Sequence, residues 1–281
     1  MDRNIYFDHA ATTPVRSEVL EAMLPFFSKK FGNPSSVYGY GRESKKFIED
    51  SRDIVAKALG AQNKEIFFTG SGTEADNWAI KGIAHGNRDK GNHIITTSIE
   101  HHAVLHSCNN LEKEGFEITY LPVDKDGLVD PEQVKQAIKP ETILISIMYA
   151  NNEIGTIQPI REIGEIAKEK DIFFHTDAVQ AVGNIDIDVD KLNVDLLSLA
   201  GHKFYGPKGV GALYIRRGTK ITPFIHGGAQ ERGRRASTEN VPGIIGLGKA
   251  IELATSDITS TAKHVKNLRD RIIDEVLRNI P

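Results

Sequence analysis

The chain has 281 residues, 40% of them hydrophobic and 26% charged, with a formal net charge of −3. That balance belongs to an ordinary folded domain and leaves no basic surplus for nucleic acid or anionic lipid. No apolar run reaches the roughly 18 residues of a membrane span, the first residues hold no stretch of signal-peptide length, and a single cysteine excludes an internal disulfide framework and fits a reducing, cytoplasmic setting.

Two helix-like stretches come first, at about residues 17–29 and 43–59, joined by the turn-rich Phe31-Gly32-Asn33-Pro34-Ser35-Ser36. From about residue 64, short β-rich runs alternate with helical ones. Ile66-Phe67-Phe68 leads through Gly70-Ser71-Gly72 to a helix at about 75–84, and Ile94-Ile95-Thr96-Thr97 leads to one at about 101–114. The run from Ile143 to Met148 is apolar at successive positions, as a strand covered on both faces should be. A helix at 160–170 follows, then strand-like runs at 172–175, 194–199 and 211–215, and a charged amphipathic helix at 262–279. The alternation predicts an α/β fold, a mostly parallel sheet with helices on both faces.

In such sheets ligands gather at the carboxyl ends of the strands, where three polar groups of residues stand out. In Gly70-Ser71-Gly72-Thr73-Glu74, small residues and a helix N-terminus offer unpaired N–H groups to an anion. The same pattern also serves as a plain capped turn, and the lysine of a Walker loop is missing. In His175-Thr176-Asp177-Ala178-Val179-Gln180, a carboxylate right after a buried strand needs a cation such as a protonated pyridine nitrogen, or else caps a helix. In Gly201-His202-Lys203-Phe204-Tyr205-Gly206-Pro207-Lys208-Gly209, a lysine follows an apolar strand directly, a setting that can lower its pKa and let it condense with an aldehyde. A phosphate turn, an acid for a ring nitrogen and a lysine for an imine are the three anchors of pyridoxal 5'-phosphate (PLP).

With Asp8-His9-Ala10-Ala11-Thr12-Thr13-Pro14, Gly32-Asn33-Pro34-Ser35-Ser36, Ser71 to Asn77, Glu100-His101-His102-Ala103-Val104 and Asn151-Asn152-Glu153-Ile154-Gly155, these segments run in one order along nearly the whole chain. Together they resemble the NifS/IscS type of cysteine desulfurase, in the class V aminotransferase family of fold type I PLP enzymes. The resemblance implies a seven-stranded-type sheet and a homodimer that takes L-cysteine to L-alanine. It also implies that the sulfur passes, as a persulfide on an enzyme cysteine, to an iron–sulfur scaffold or other sulfur acceptor protein. By the same resemblance Lys203 holds PLP and shuttles protons, Asp177 pairs with the ring nitrogen, and His101 stacks on the ring and assists proton transfer. Gln180 and Asn152 lie near the ring hydroxyl. Gly72, Thr73 and His202 hold the phosphate, and Thr238 reaches the phosphate of the partner subunit, which also accounts for the basic stretch Arg232 to Arg235.

Ala200 departs from the family, where many members carry a serine that contacts the phosphate; one lost hydroxyl weakens binding by about 0.5–1.5 kcal/mol. The family's catalytic cysteine and its carboxylate-binding arginine belong to a C-terminal small domain expected to lie beyond this chain. The expected division is residues 1–14 and 261–281 as pieces of that small domain, around a large PLP domain at 15–260. Desulfuration by this chain alone is not expected, and an exposed apolar patch is. Cys108 shares a helical face with Val104 and Leu111 and reads as structural. His102 and His106, four apart, lack a third metal ligand. The competing readings are a selenocysteine lyase or other class V PLP enzyme, and a non-catalytic PLP-binding remnant.

Overall fold

The computed structural model describes residues 5–280, so residues 1–4 of the expected N-terminal segment and Pro281 lie outside the described residues. Seven strands form one sheet: β1 (Ile66–Thr69), β2 (His93–Thr97), β3 (Glu117–Leu121), β4 (Thr142–Ser146), β5 (Phe173–Asp177), β6 (Leu196–Ala200) and β7 (Gly211–Ile215), in the order β1-β7-β6-β5-β4-β2-β3. β7 runs antiparallel to both β1 and β6, and the remaining pairs are parallel. Because β1 and β6 both oppose β7, they point the same way, so the carboxyl ends of β1 to β6 lie at one edge of the sheet, and those of β1, β2, β4, β5 and β6 surround one cavity.

The described residues also form ten α-helices: α1 (Ser17–Met23), α2 (Pro25–Ser28), α3 (Gly39–Leu59), α4 (Gly72–Gly86), α5 (His102–Lys113), α6 (Pro131–Ala137), α7 (Ile160–Glu169), α8 (Val189–Leu192), α9 (Val241–Thr255) and α10 (Ile258–Asn279). Side chains alternate across a strand, so the sheet serves two cores. On one face Phe174, Leu197 and Tyr214 pack with Val55, Leu59, Ile163 and Leu247. On the other, Phe67, Leu144, Leu196 and Leu213 pack with Trp78, Ile83, Val104 and Leu111.

The structure departs from the sequence reading in local ways. The first predicted helix is broken in two, with Pro25 opening α2, because proline has no N–H to continue the preceding helix. β3, α6, α8 and α9 had no predicted counterpart. β3 is an edge strand whose residues are mostly half-exposed, which hides the apolar run that marks its neighbours. α9 holds Gly243, Gly246 and Gly248, poor helix formers that let it approach closely: a Cβ built on Gly246 would stand 2.6 Å from Met23 Sδ, and one on Gly248 would stand 2.9 Å from Ser51 Cβ. α10 begins at Ile258 and buries none of its residues, and Val265, Leu268, Ile272 and Val276 form an exposed apolar stripe along it. Among the described residues no helix is long and apolar enough to cross a membrane.

Candidate active site

The five strand ends border a cavity of about 610 Å³, closed on its remaining side by Asp8, Ala10 and Ala11. β1 delivers Ser71, Gly72 and Thr73, β2 delivers His101, and β4 delivers Asn152 and Glu153. β5 ends on Asp177 and continues to Gln180, and β6 delivers Ala200, His202 and Lys203. Eight of the nine residues expected at the site therefore share one space, although they come from segments more than 100 residues apart.

The Gly70–Glu74 turn is built by capping. Ser71 is extended and its hydroxyl accepts the N–H of Glu74 (3.1 Å), which starts α4 at Gly72 and leaves the amides of Gly72 and Thr73 without helical partners. A Cβ on Gly72 would stand 2.7 Å from Val179 Cγ2 and 3.3 Å from Ala200 Cβ, so only glycine lets the turn close against β5 and β6. Glu74 anchors the turn by accepting from Gly70 N (2.8 Å) and from the guanidinium of Arg235 (2.7 and 3.1 Å). His202 meets Thr12 Oγ1 at 3.1 Å, and burial, with Lys203 and Lys208 nearby, keeps its imidazole toward the neutral form.

Lys203 stands in a single turn of 3-10 helix right after β6, Gly201–Lys203. Its ammonium donates to the carbonyls of Ala10 and of Ala11 (3.0 Å). Burial holds its pKa below the usual lysine range, against the pull of Asp177, Asp8 and Glu153. Asp177 is 6% exposed and accepts the amide of Val179 at 2.9 Å. Burial pushes its carboxyl upward, and Val179, His101 and Lys203 draw it back. His101 caps α5 with Nδ1 accepting the N–H of Ala103 (3.1 Å), which in a neutral ring puts the proton on Nε2. Gln180 donates to Ala10 O (3.0 Å), and Asn152 donates to Glu153 Oε1 (2.8 Å).

Three buried ionisable groups at the cavity floor lie in segments that the sequence singles out without giving them a role: Asp76, Glu100 and His175, exposed by only 1%, 5% and 0%. Glu100 accepts Thr97 Oγ1 (2.6 Å) and the amide of Met148 (3.0 Å), yet burial pushes it up to about 8. His175 is held by Ser146 Oγ (2.8 Å) and Ser198 Oγ (3.0 Å), and burial drives it down to about 3, so it is neutral. The available signal was an ionisable residue inside an otherwise apolar periodic run, as with Asp76 between Ala75 and Ala79.

Thr238 is the expected residue that the fold keeps apart. It is exposed and borders a separate cleft of about 230 Å³ beside the far side of the Gly70–Glu74 turn. The neighbouring arginines are committed within the chain: Arg235 to Glu74, and Arg232 and Arg234 over the ring of Phe67 at 5.1 and 5.2 Å. Cys108 is fully buried, its thiol pushed up to about 12 by burial. His102 and His106 stack at 5.2 Å, and the described residues hold no group of three metal-ligating side chains.

A mostly parallel seven-stranded sheet with an acid, a lysine and the Gly70–Glu74 turn at its carboxyl edge narrows the class, and similarity to known proteins agrees. The model of the aminotransferase class-V family matches residues 5–281, and the chain belongs to that family. Cysteine desulfurase IscS of Methanosarcina thermophila is 65% identical over 277 residues, covering 99% of this chain and 69% of its own length. Cysteine desulfurase IscS of Clostridium botulinum strain Hall is 61% identical over 281 residues, covering all of this chain and 71% of its own length. Among solved structures, a NifS-like protein superposes with a TM-score of 0.96 at 45% identity, over 98% of this chain and 76% of that one. SspA in complex with cysteine superposes with a TM-score of 0.87 at 49% identity, over 89% and 72%.

Proposed function

We propose that the cavity binds PLP and that the protein acts as a cysteine desulfurase, converting L-cysteine to L-alanine and passing the sulfur atom to an acceptor thiol as a persulfide. The observation that carries this reading is the convergence of buried Asp177, pKa-lowered Lys203 and the free amides of α4 on one cavity. The residues present fit PLP. The cavity suits a small phosphorylated ring, Asp177 is buried with no ion-pair partner among the described residues, and the close approach at Gly72 leaves room for a phosphate against backbone.

When bound, PLP supplies an aldehyde that condenses with amines and a ring that accepts electrons. Asp177 would keep the ring nitrogen protonated. Gly72, Thr73 and His202 would hold the phosphate, the first two through backbone N–H groups at the positive end of α4. Gln180 and Asn152 would orient the ring hydroxyl from the rim. Lys203, with its pKa lowered, offers a neutral amine at less cost than an exposed lysine and can carry a proton between substrate carbon and solvent. His101 would lie against the ring and exchange a proton through Nε2. Cys108 is excluded as sulfur acceptor by its burial and its protonated thiol.

The reading extends to a cytoplasmic homodimer in which Thr238 reaches the partner subunit's phosphate, and to an iron–sulfur scaffold or other sulfur acceptor protein as the recipient. The exposed position of Thr238, away from its own cavity, supports the first. The test is direct. Protein mixed with PLP should develop an absorbance band near the visible edge that borohydride fixes covalently to Lys203, located by peptide mass spectrometry, and Lys203→Ala should show neither. An intact protein that fixes no PLP at Lys203 would refute the reading; once PLP is bound, alanine released from cysteine tests the reaction itself.

A further inference from the structure

The cavity floor holds more acid than PLP binding needs. His175 and Asp177 lie two apart on β5, so both side chains leave the sheet on the same face, the face that α4 covers. From α4, one turn past Gly72, Asp76 enters that layer and also borders the cavity. Its Oδ1 stands 3.6 Å from His175 Nε2, beyond hydrogen-bond reach, and it has no hydrogen-bond partner. The two ring nitrogens of His175 are already met by Ser146 and Ser198 hydroxyls.

Two carboxyls this deeply buried in one layer resist being ionised together, because each disfavours the charge of the other in a low-dielectric setting. Their surroundings decide which one keeps the charge. Asp177 has the Val179 amide and the nearby Lys203 and His101. Asp76 faces Asp177, Glu100, the Ser198 hydroxyl and the ring of His175, with no cation among them. Burial first, and then Asp177, drive the Asp76 carboxyl well above the usual carboxylate range.

We propose that Asp76 is a positioning residue that stays protonated in the folded protein, so that the buried layer carries a single negative charge and that charge sits on Asp177, where the ring nitrogen of PLP would meet it. The proposal rests on the PLP reading for its purpose but not for its protonation state, which the ligand-free protein already holds. Asp76→Asn is the informative change, because asparagine supplies the shape and neutrality of a protonated aspartate.

Two measurements on the full chain decide it: PLP affinity at pH 7 by fluorescence titration, and the thermal midpoint of ligand-free protein between pH 5 and 9. Asp76→Asn should bind PLP within about threefold of wild type, whereas Asp177→Asn should lose about 100-fold or more, as expected when a charge-assisted bond is removed. The sign for the melt follows from a raised folded-state pKa: stability from the Asp76 proton is full at low pH and is lost as pH rises toward that pKa. Asp76→Asn should therefore melt at or above wild type at alkaline pH, with a shallower decline. Loss of PLP affinity matching Asp177→Asn, an unchanged alkaline decline, or failure of Asp76→Asn to fold would each overturn the proposal. If wild type binds no PLP the functional reading fails, and the ligand-free melt still decides the state of Asp76.

Discussion

The chain buries charge in two places and treats it in opposite ways. Beside β1, Arg52 and Glu231, with side chains 4% and 3% exposed, meet through two bonds of 2.7 and 2.9 Å. The pair is met further on several sides: Glu231 accepts the amide of Phe68 (3.0 Å), Arg52 donates to Ile66 O (2.8 Å) and to Glu49 Oε1 (3.3 Å), and its guanidinium lies over the Phe68 ring. At the cavity floor Asp76, Glu100 and Asp177 are about as deeply buried, yet among the described residues Asp76 meets only the neutral His175 within ion-pair distance and Glu100 and Asp177 meet no partner there. A fold able to satisfy a buried charge so fully in one place leaves it open in another where something else is to complete it, and perturbed ionisable groups gathered in a cleft are the usual mark of a functional site. The satisfied pair holds backbone instead: Glu231 and Arg232 have φ of 44° and 60°, a left-handed stretch unfavourable for side-chain-bearing residues, pinned against β1 at the base of the loop that carries Thr238.

The strongest way to test this contrast is to break the satisfied pair. Arg52→Ala strands Glu231 in the core and should cost about 3–5 kcal/mol in a denaturant titration; a loss below about 1 kcal/mol, the range of exposed pairs, would mean that water reaches the site. Next in size is a pH effect at the open floor. The Glu100 carboxyl rises from an ordinary 4.5 to about 8 on folding, so stability from its proton is complete below about 4.5 and is lost as pH climbs to about 8. The melting temperature should fall across that window, and Glu100→Gln should flatten the fall. A wild-type profile flat from pH 5 to 8 would show that the floor is hydrated. Smaller again, Asp177→Asn should raise ligand-free stability at pH 7 by about 1–2 kcal/mol while abolishing tight PLP binding, the trade expected where a group is kept for function.

How far the sequence alone reaches follows from the same physics. β4 and β6 are legible because burial on both faces writes mostly apolar runs, and the Lys203, Asp177 and Gly72 segments are legible because lysine, aspartate and glycine are each unusual next to such runs. α9 is illegible because its glycines serve contacts with Met23 and Ser51 that no local pattern announces. β3 is obscured by half-exposure at the sheet edge. Asp76, Glu100 and His175 sit inside recognisable segments, but their meaning depends on α4 packing over β5, a contact made across about 100 residues of chain. Arg232, Arg234 and Arg235 read only as a basic run, because their contacts with Phe67 and Glu74 are made by the fold.

The rim of the cavity offers the gentlest and most discriminating comparison with its floor. Gln180 reaches over the opening to the carbonyl of Ala10, the same oxygen that Lys203 engages. Removing Gln180 leaves that acceptor with a donor and leaves no buried group stranded, so Gln180→Ala should change stability by less than about 0.5 kcal/mol. PLP affinity should nonetheless fall by a few-fold, about what one neutral hydrogen bond to the ring hydroxyl contributes. The two numbers together separate the rim from the floor, since Asp177→Asn should gain stability and lose affinity steeply, whereas Gln180→Ala should barely move the first and modestly move the second. A stability loss above about 1.5 kcal/mol for Gln180→Ala would make the segment from Asp8 to Thr13 part of the folded core instead of a border that binding can shift.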